Sequence, residues 1–434
     1  MQKLSLLSLG CPKNQVDSEI LLGQLNGNRF KYSENVNQAD ILIINTCSFI
    51  QDAIRESVDE IFSGIQWKQK KPGRKLLVVG CLPQRFPDEL TAELPEVDGF
   101  FKVGDIQGVL NTLIAQETVL HDDLFMKRRL LSPPHTAYLR ISDGCSQGCR
   151  YCTIPKIRGP HRSRKPDDIL REAEKLATSG VVELIVIGQE TTSYGTDLEP
   201  KYDLISLLGD LSQVDGIHWI RLMYTHPPAL TDDMIIGLGK VEHFCAYLDF
   251  PIEHASDRIL ETMGRKTTQN RLRQQIQLLR EVIPDIALRT SIIVGYPGET
   301  ESEFSELIDF LDEIRFEHLG VFTFSPEEGT SAKDLPDAVS SEEAQDRFDH
   351  VMTLAEEWAE ERNQTKIGQQ LEVLIDEVEV KQGISNSRTQ GDAPEIDSTV
   401  IIQELLEPGR FKTVVVTGYQ GHDLLAKPIN KESL

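Results

Sequence analysis

Three apolar runs near the start of this chain, at 4–9, 41–45 and 76–80, each stop one or two residues short of a cysteine: Cys11, Cys47 and Cys81. Amphipathic stretches follow the runs, near 16–25, 50–66 and 84–93. That alternation is the signature of βα units laid on a parallel sheet. In such sheets ligands bind beyond the carboxyl ends of the strands, where neighbouring loops converge. Three cysteines spaced 36 and 34 residues apart are therefore expected to meet at one edge of one small α/β domain, over 1–120. The helix N-termini that follow them are expected to favour thiolate over thiol. The plainer alternative is three buried cysteines at strand ends, since cysteine is commonly buried.

A second triplet is tight. Cys145, Cys149 and Cys152 lie in Gly144-Cys-Ser-Gln-Gly-Cys-Arg-Tyr-Cys-Thr153, on a loop where Gly144 and Gly148 let the backbone wrap closely around a ligand. A polar stretch at 121–135, ending Ser132-Pro133-Pro134-His135, reads as a linker before it. Six further strands are expected at 136–142, 182–188, 219–224, 246–252, 286–294 and 318–324. Helices are expected between them, at 167–179, 269–282 and 301–313. Six βα units point to a barrel or an open barrel over 131–362, with its chemistry at the carboxyl ends of the strands. The tight triplet follows the first of these strands, at that end. A charged helix at 341–363 closes the region. From 364 to 434 short strands at 371–375, 399–402 and 413–416, separated by Gly, Pro and Asp, predict a small all-β module.

Three thiolates can hold a four-iron four-sulfur cluster and leave one iron open, whereas full cysteine ligation takes four. An open iron can bind a small molecule, so two such triplets suggest a cofactor-driven radical enzyme. Two alternatives exist for the tight triplet. One is a zinc knuckle completed by a histidine such as His161, which would fit a non-catalytic zinc protein of the translation machinery. The other is a redox pair of Cys149 and Cys152. Seven cysteines without a targeting signal suggest a reducing cytoplasm. No apolar run approaches a membrane span. The start is too short in apolar residues for a signal peptide and reads as a first strand. The net charge of −24 repels bare nucleic acid at long range and attracts a basic partner, although many acidic proteins are acidic for solubility alone.

The tight triplet resembles the signature of the radical S-adenosylmethionine superfamily, and with the loose triplet in front the chain resembles the methylthiotransferases. Several runs are similar to the RimO branch of that family. They are Ser8-Leu-Gly-Cys-Pro-Lys-Asn-Gln-Val-Asp-Ser-Glu19, Cys152-Thr-Ile-Pro-Lys-Ile-Arg-Gly159, Arg289-Thr-Ser-Ile-Ile-Val-Gly-Tyr-Pro-Gly-Glu-Thr300, Phe324-Ser-Pro-Glu-Glu-Gly-Thr330 and Asp392-Ala-Pro-Glu-Ile-Asp397. The terminal module resembles a TRAM domain.

The resemblance implies two 4Fe-4S clusters. One, on Cys145, Cys149 and Cys152, would bind S-adenosylmethionine and cleave it reductively to a 5′-deoxyadenosyl radical. An auxiliary one, on Cys11, Cys47 and Cys81, would carry the sulfur. A second S-adenosylmethionine would donate the methyl group, and an electron donor such as flavodoxin or ferredoxin would drive the cleavage. The superfamily also implies cofactor contacts for Gln189 and Glu190 beyond the second barrel strand, and for Ser291 and Gly295 on or beyond the fifth. All four could equally be ordinary strand-end residues.

The family offers two substrate classes: an aspartate β-carbon in small-subunit ribosomal protein twelve, or a transfer RNA adenosine as in the MiaB type. Residues 364–434 carry seven Lys plus Arg against eleven Asp plus Glu, a balance of −4. An RNA-gripping module should present a basic surface, and an acidic one suits a basic ribosomal protein. The expected target is thus the protein, with nucleic acid not the main partner. Arg158, Arg162 and Arg164 are candidates to bind a carboxylate, or form a solvated basic loop. His226 and His254 end barrel strands and read better as structural than as cavity groups. Cys245 reads as a core residue.

Overall fold

The computed structural model describes residues 1–25, 30–114 and 124–429. The chain divides into two compact units, one of 1–132, 142–164 and 327–330, the other of 133–141, 165–326 and 331–434. Residues 121–123 of the expected linker lie outside the described residues.

The first unit is built on a five-stranded parallel sheet in the order β2-β1-β3-β4-β5. Its strands are β1 (Gln2–Ser8), β2 (Phe30–Tyr32), β3 (Ile41–Thr46), β4 (Lys75–Gly80) and β5 (Gly99–Lys102). The period of two along β3 and β4 explains why both faces are covered. Ile41, Ile43, Leu77 and Val79 pack on one face with Leu21, Leu22 and Leu110. Leu42, Ile44, Leu76 and Val78 pack on the other with Ile61, Ile65 and Trp67. The expected strands at 4–9, 41–45 and 76–80 match β1, β3 and β4. The first helix begins earlier than expected, at Pro12–Leu25, because proline tolerates the first helical position. The stretch at 84–93 is two helices, Cys81–Arg85 and Pro87–Glu93, the second opened by its own proline. The sequence reading missed β2 and β5, which are too short to carry a period. The unit also holds a two-stranded ladder of β7 (Ser142–Asp143) and β8 (Arg162–Ser163), which clasps the ends of the tight-triplet loop.

The second unit contains a six-stranded sheet, all parallel, in the order β13-β12-β11-β10-β9-β6. Its strands are β6 (Thr136–Arg140), β9 (Glu183–Ile187), β10 (Trp219–Leu222), β11 (Phe244–Asp249), β12 (Ala287–Val294) and β13 (His318–Thr323). β6 and β13 do not pair, so the barrel is open, as expected. The expected helix at 269–282 is observed as Gln269–Val282. Helix Glu301–Ile314 opens on a capping box of Thr300 and Glu303.

The terminal module is a closed barrel of β14 (Gln370–Glu379), β15 (Ile384–Arg388), β16 (Val400–Ile402), β18 (Asp423–Pro428) and β17 (Phe411–Gln420). β15 and β18 were not legible, being polar and short; pairing with their neighbours defines them. The module seats its 389–397 loop on the amino ends of the parallel strands. Gln390 and Thr389 carbonyls accept from Arg221. Tyr247 Oη donates to Asp397, and the Gly391 carbonyl lies 2.8 Å from His318 Nε2. At the centre of the seat, fully buried Glu183 accepts from Arg388 at 2.7 Å and Arg221 at 2.9 Å. Burial alone would push the Glu183 carboxyl up. The two guanidinium groups outweigh it and hold it at about 2.

Candidate active site

The strand order of the first unit has its switch point between β1 and β3, where crossovers leave in opposite directions and a crevice opens. Cys11 follows β1, Cys47 directly follows β3, and Cys81 directly follows β4. The loose triplet therefore occupies the carboxyl ends of three adjacent strands. Two glycines make the approach possible. A Cβ on Gly10 would fall 2.8 Å from Cys47 Sγ, and one on Gly80 would fall 2.2 Å from Asn45 Oδ1. Both glycines have positive φ, at 80° and 100°.

Asn14 is the hub of this crevice. Its amide nitrogen donates to the carbonyls of Leu9 at 3.1 Å and Thr46 at 2.9 Å, joining the ends of β1 and β3. Its Oδ1 lies 3.4 Å from Cys81 Sγ and accepts from Arg158 Nη2 at 2.6 Å. Asn45 donates to the Asn14 carbonyl and to Ser18 Oγ, both at 2.8 Å. Ser57 Oγ accepts from Cys47 N and donates to Cys47 O. The sequence reading missed Asn14, Asn45 and Ser57. Only Asn14, inside the Gly10-Cys-Pro-Lys-Asn14 run, carried a local signal.

The expectation of thiolates favoured throughout the triplet needs correction. At Cys11 burial acts upward, but the Lys13 ammonium, the Asn14 and Lys13 backbone N–H groups and Arg158 outweigh it and lower the thiol. Burial wins at Cys47, which is raised, and at Cys81, which is pushed up to about 12. Helix ends do not offset the loss of water at those two sites. An iron ion held by these two cysteines would supply the missing positive charge itself.

The tight triplet lies in the same unit, on irregular backbone between β7 and β8. Gly144 and Gly148 have positive φ, at 74° and 76°. A Cβ on Gly144 would meet the Pro160 carbonyl oxygen at 2.1 Å, and Cys145 N donates to the Gly159 carbonyl at 3.1 Å. Cys152 N turns back to the Cys149 carbonyl at 3.2 Å. None of the seven cysteines forms a disulfide. Among the described residues no three His, Cys, Asp or Glu side chains are gathered to hold a single metal ion. A tetrahedral ion with bonds of about 2.3 Å sets its thiolates roughly 3.8 Å apart, whereas a four-iron cube spreads them over a larger body. Both triplets supply the three thiols that such a cube takes with one iron left open.

In the second unit Gln189 and Glu190 lie just beyond β9, and Ser291 and Gly295 lie on and just beyond β12, with β10 and β11 between them, toward the same end of the sheet. Gln189 Oε1 is buried and has no hydrogen-bond partner, which fits an acceptor waiting for an amino group. Both Glu190 oxygens accept from Ser193 N. Ser291 Oγ lies 3.5 Å from Arg289 Nη1. A Cβ on Gly295 would meet Ala344 Cβ at 2.6 Å, so helix packing already accounts for that glycine.

The remaining candidates resolve structurally. Arg158 is buried, at 2% side-chain exposure, and binds Asp17 of its own unit at 2.7 Å. Arg164 stacks on Phe125, 3.4 Å from the ring centroid. Burial, and then the neighbouring Arg265, hold the His226 imidazole at about 3 and neutral. His254 Nε2 lies 3.2 Å from Glu299 and its Nδ1 accepts from Ser256 N, within a buried network. Cys245 is fully buried.

An open parallel barrel whose first strand feeds a Cys-x-x-x-Cys-x-x-Cys loop defines a radical S-adenosylmethionine enzyme. The model of the radical SAM superfamily matches residues 139–311, that of uncharacterized protein family UPF0004 matches 3–102, and that of the TRAM domain matches 367–429. The chain is 44% identical to "Ribosomal protein uS12 methylthiotransferase RimO" of Clostridioides difficile, covering 98% of each chain. It is 43% identical to the relative of the same name from Pelotomaculum thermopropionicum, covering 98% of this chain and 99% of the other. The chain belongs to the RimO family of methylthiotransferases. Among solved structures its fold is similar to the radical S-adenosylmethionine methyltransferase TsrM of Kitasatospora setae. That match has a TM-score of 0.57 and 14% identity, over 76% of this chain and 77% of the other. It is also similar to the radical enzyme OxsB, with a TM-score of 0.52 and 13% identity, over 82% and 62%.

Proposed function

We propose that this enzyme places a methylthio group on the β-carbon of an aspartate in small-subunit ribosomal protein twelve, the protein named uS12 in its relatives. Two 4Fe-4S clusters and S-adenosylmethionine supply the radical, sulfur and methyl chemistry when bound. Cys145, Cys149 and Cys152 hold the cluster that cleaves S-adenosylmethionine. Cys11, Cys47 and Cys81 hold the auxiliary cluster that carries sulfur. Gln189 orients the methionine amino group through its buried Oε1, and Glu190, Ser291 and Gly295 line the same end of the sheet. The working division is a sulfur-carrying domain over 1–120, a radical domain over 131–362 and a docking module over 364–434. The enzyme works in the cytoplasm, and a flavodoxin or ferredoxin supplies its electron.

One observation carries the two-cluster reading. Both triplets lie in one compact unit, where Arg158, six residues after Cys152, bonds to Asn14, three residues after Cys11. The module supports a macromolecular protein target. It sits at the amino ends of the parallel strands, opposite their carboxyl ends. Strands of four to eight residues at about 3.3 Å each separate the two by roughly 13–26 Å, a span that a large partner bridges more readily than a small one. Its Arg388 is withdrawn into the Glu183 seat, while Glu372, Glu377, Glu404 and Glu407 remain exposed. Lys381, Arg410, Lys412 and Lys427 are exposed as well, so the support for a basic protein over a phosphate backbone is the module's net balance of −4.

Mass spectrometry of the ribosomal protein from cells with and without this chain tests the proposal. The expected result is a methylthio mass on one aspartate that disappears with the chain. An unchanged ribosomal protein, with salt-sensitive transfer RNA binding and methylthio-adenosine lost instead, would overturn it.

A further inference from the structure

We propose that Arg158 is a positioning residue for the auxiliary cluster, joining Asn14 to Cys81 through one guanidinium group and raising that cluster's reduction potential. The inference rests on the reading of Cys11, Cys47 and Cys81 as cluster ligands.

Arg158 ends the short helix Ile154–Arg158 that follows the tight triplet. Its Nη1 lies 2.7 Å from Asp17 and 3.8 Å from Asp143. Its Nη2 donates to Asn14 Oδ1 at 2.6 Å and lies 3.8 Å from Cys81 Sγ. The two carboxylates anchor one side of the fork, leaving the other side aimed at the cysteine crevice. A thiolate bound to iron is an acceptor only, and Asn14 Oδ1, 3.4 Å from that sulfur, is an acceptor too. Two acceptors at that distance repel unless a nearby donor serves both. Nη2 is that donor. A planar guanidinium with fixed N–H directions serves Asp17, Asn14 and Cys81 at once, whereas a lysine ammonium presents a single point charge.

Two consequences follow. A positive charge and an N–H beside a ligating sulfur favour the reduced, more negative cluster, so they raise its potential. And because Gly159, the next residue, accepts from Cys145 N, the same anchor ties the tight loop to the crevice.

The test uses the full chain carrying Cys145→Ala, Cys149→Ala and Cys152→Ala, which leaves one cluster to observe. After anaerobic reconstitution, iron and sulfide are counted and the cluster's midpoint potential is followed by electron paramagnetic resonance. Arg158→Gln should lower the potential and weaken iron retention against a chelator by about 10- to 100-fold, the range for groups that support metal ligands. Arg158→Lys keeps the charge but loses the fork, so it should shift both in the same direction by less. If Arg158→Gln does not fold, Arg158→Lys decides alone. Potentials and retention equal to those of the parent in every folded variant would overturn the inference. A parent that holds no iron would instead sink the ligand assignment of the loose triplet, a distinct failure.

Discussion

The two cysteine cradles of this protein are built in opposite ways. Cys11, Cys47 and Cys81 are gathered by topology. Each belongs to a different strand end, and a network through Asn14, Asn45 and Ser57 locks those ends together. Cys145, Cys149 and Cys152 are gathered by the chain itself, on eight consecutive residues shaped by glycines with positive φ. Cys47 and Cys81 are buried, while all three cysteines of the tight loop are partly exposed. A cradle made of packed strands resists local change but depends on distant residues. A cradle made of one loop takes its shape first from its own backbone, and Arg158 then joins it to the crevice.

The most severe test of that contrast removes one ligand from each cradle. Cys149→Ala should abolish S-adenosylmethionine cleavage, and Cys47→Ala should allow cleavage but stop sulfur insertion. Iron in each variant should fall from about eight to about four per chain. Equal loss of cleavage in both would mean that the two cradles are not functionally distinct.

A change outside both cradles comes next. Glu183→Gln leaves Arg388 and Arg221 buried without their charge partner, at an expected cost of about 3–5 kcal/mol in thermal or denaturant unfolding. Cluster assembly in the folded protein should be untouched. The sign with pH follows from the depressed Glu183 carboxyl. Its stabilisation is fully present above the ordinary value of 4.5 and is lost as pH falls toward about 2. The variant's stability should therefore approach that of the parent only in strong acid.

Asn14→Ala should act on the strand-end cradle alone. It leaves the Leu9 and Thr46 carbonyls without their donor, costing about 1–3 kcal/mol, and should lower iron retention at the auxiliary site roughly 10-fold or more. Iron at the tight loop, read in a Cys47→Ala background, should stay put.

The smallest effects separate two glycines of the loop. Gly144→Ala forces a Cβ into the Pro160 carbonyl and should impair S-adenosylmethionine cleavage. Gly148→Ala meets nothing within 4 Å and bears only the left-handed backbone cost of about 1–2 kcal/mol. Equal defects in the two would show that backbone angle, not close approach, shapes the loop.

Much of this architecture was legible before any coordinates. The six barrel strands, of four to eight residues, are mostly apolar, and their helices carry a 3.6-residue period. β2, β5, β15 and β18 were not legible, because three to six residues without a period take their identity from the strands beside them. The two cysteine triplets were legible from spacing, yet the groups packed around them were not. Asn14 and Arg158 read as a cap-like polar residue and a basic loop residue. Only their convergence, 144 positions apart in the chain, makes them one device.

By itself the sequence determined which atoms are available for chemistry: two sets of three thiols, each preceded by a strand or set on a glycine loop. It determined this because strand and turn propensities, and ligand spacing within one loop, are local properties. Only the tertiary structure decided that the strand order 2-1-3-4-5 brings Cys11, Cys47 and Cys81 to one crevice. It alone decided that burial raises two of those thiols, and that Arg158 turns inward to Asn14 and Cys81. Burial and charge proximity depend on which elements become neighbours, and neighbours distant along the chain leave no mark on any single stretch of it.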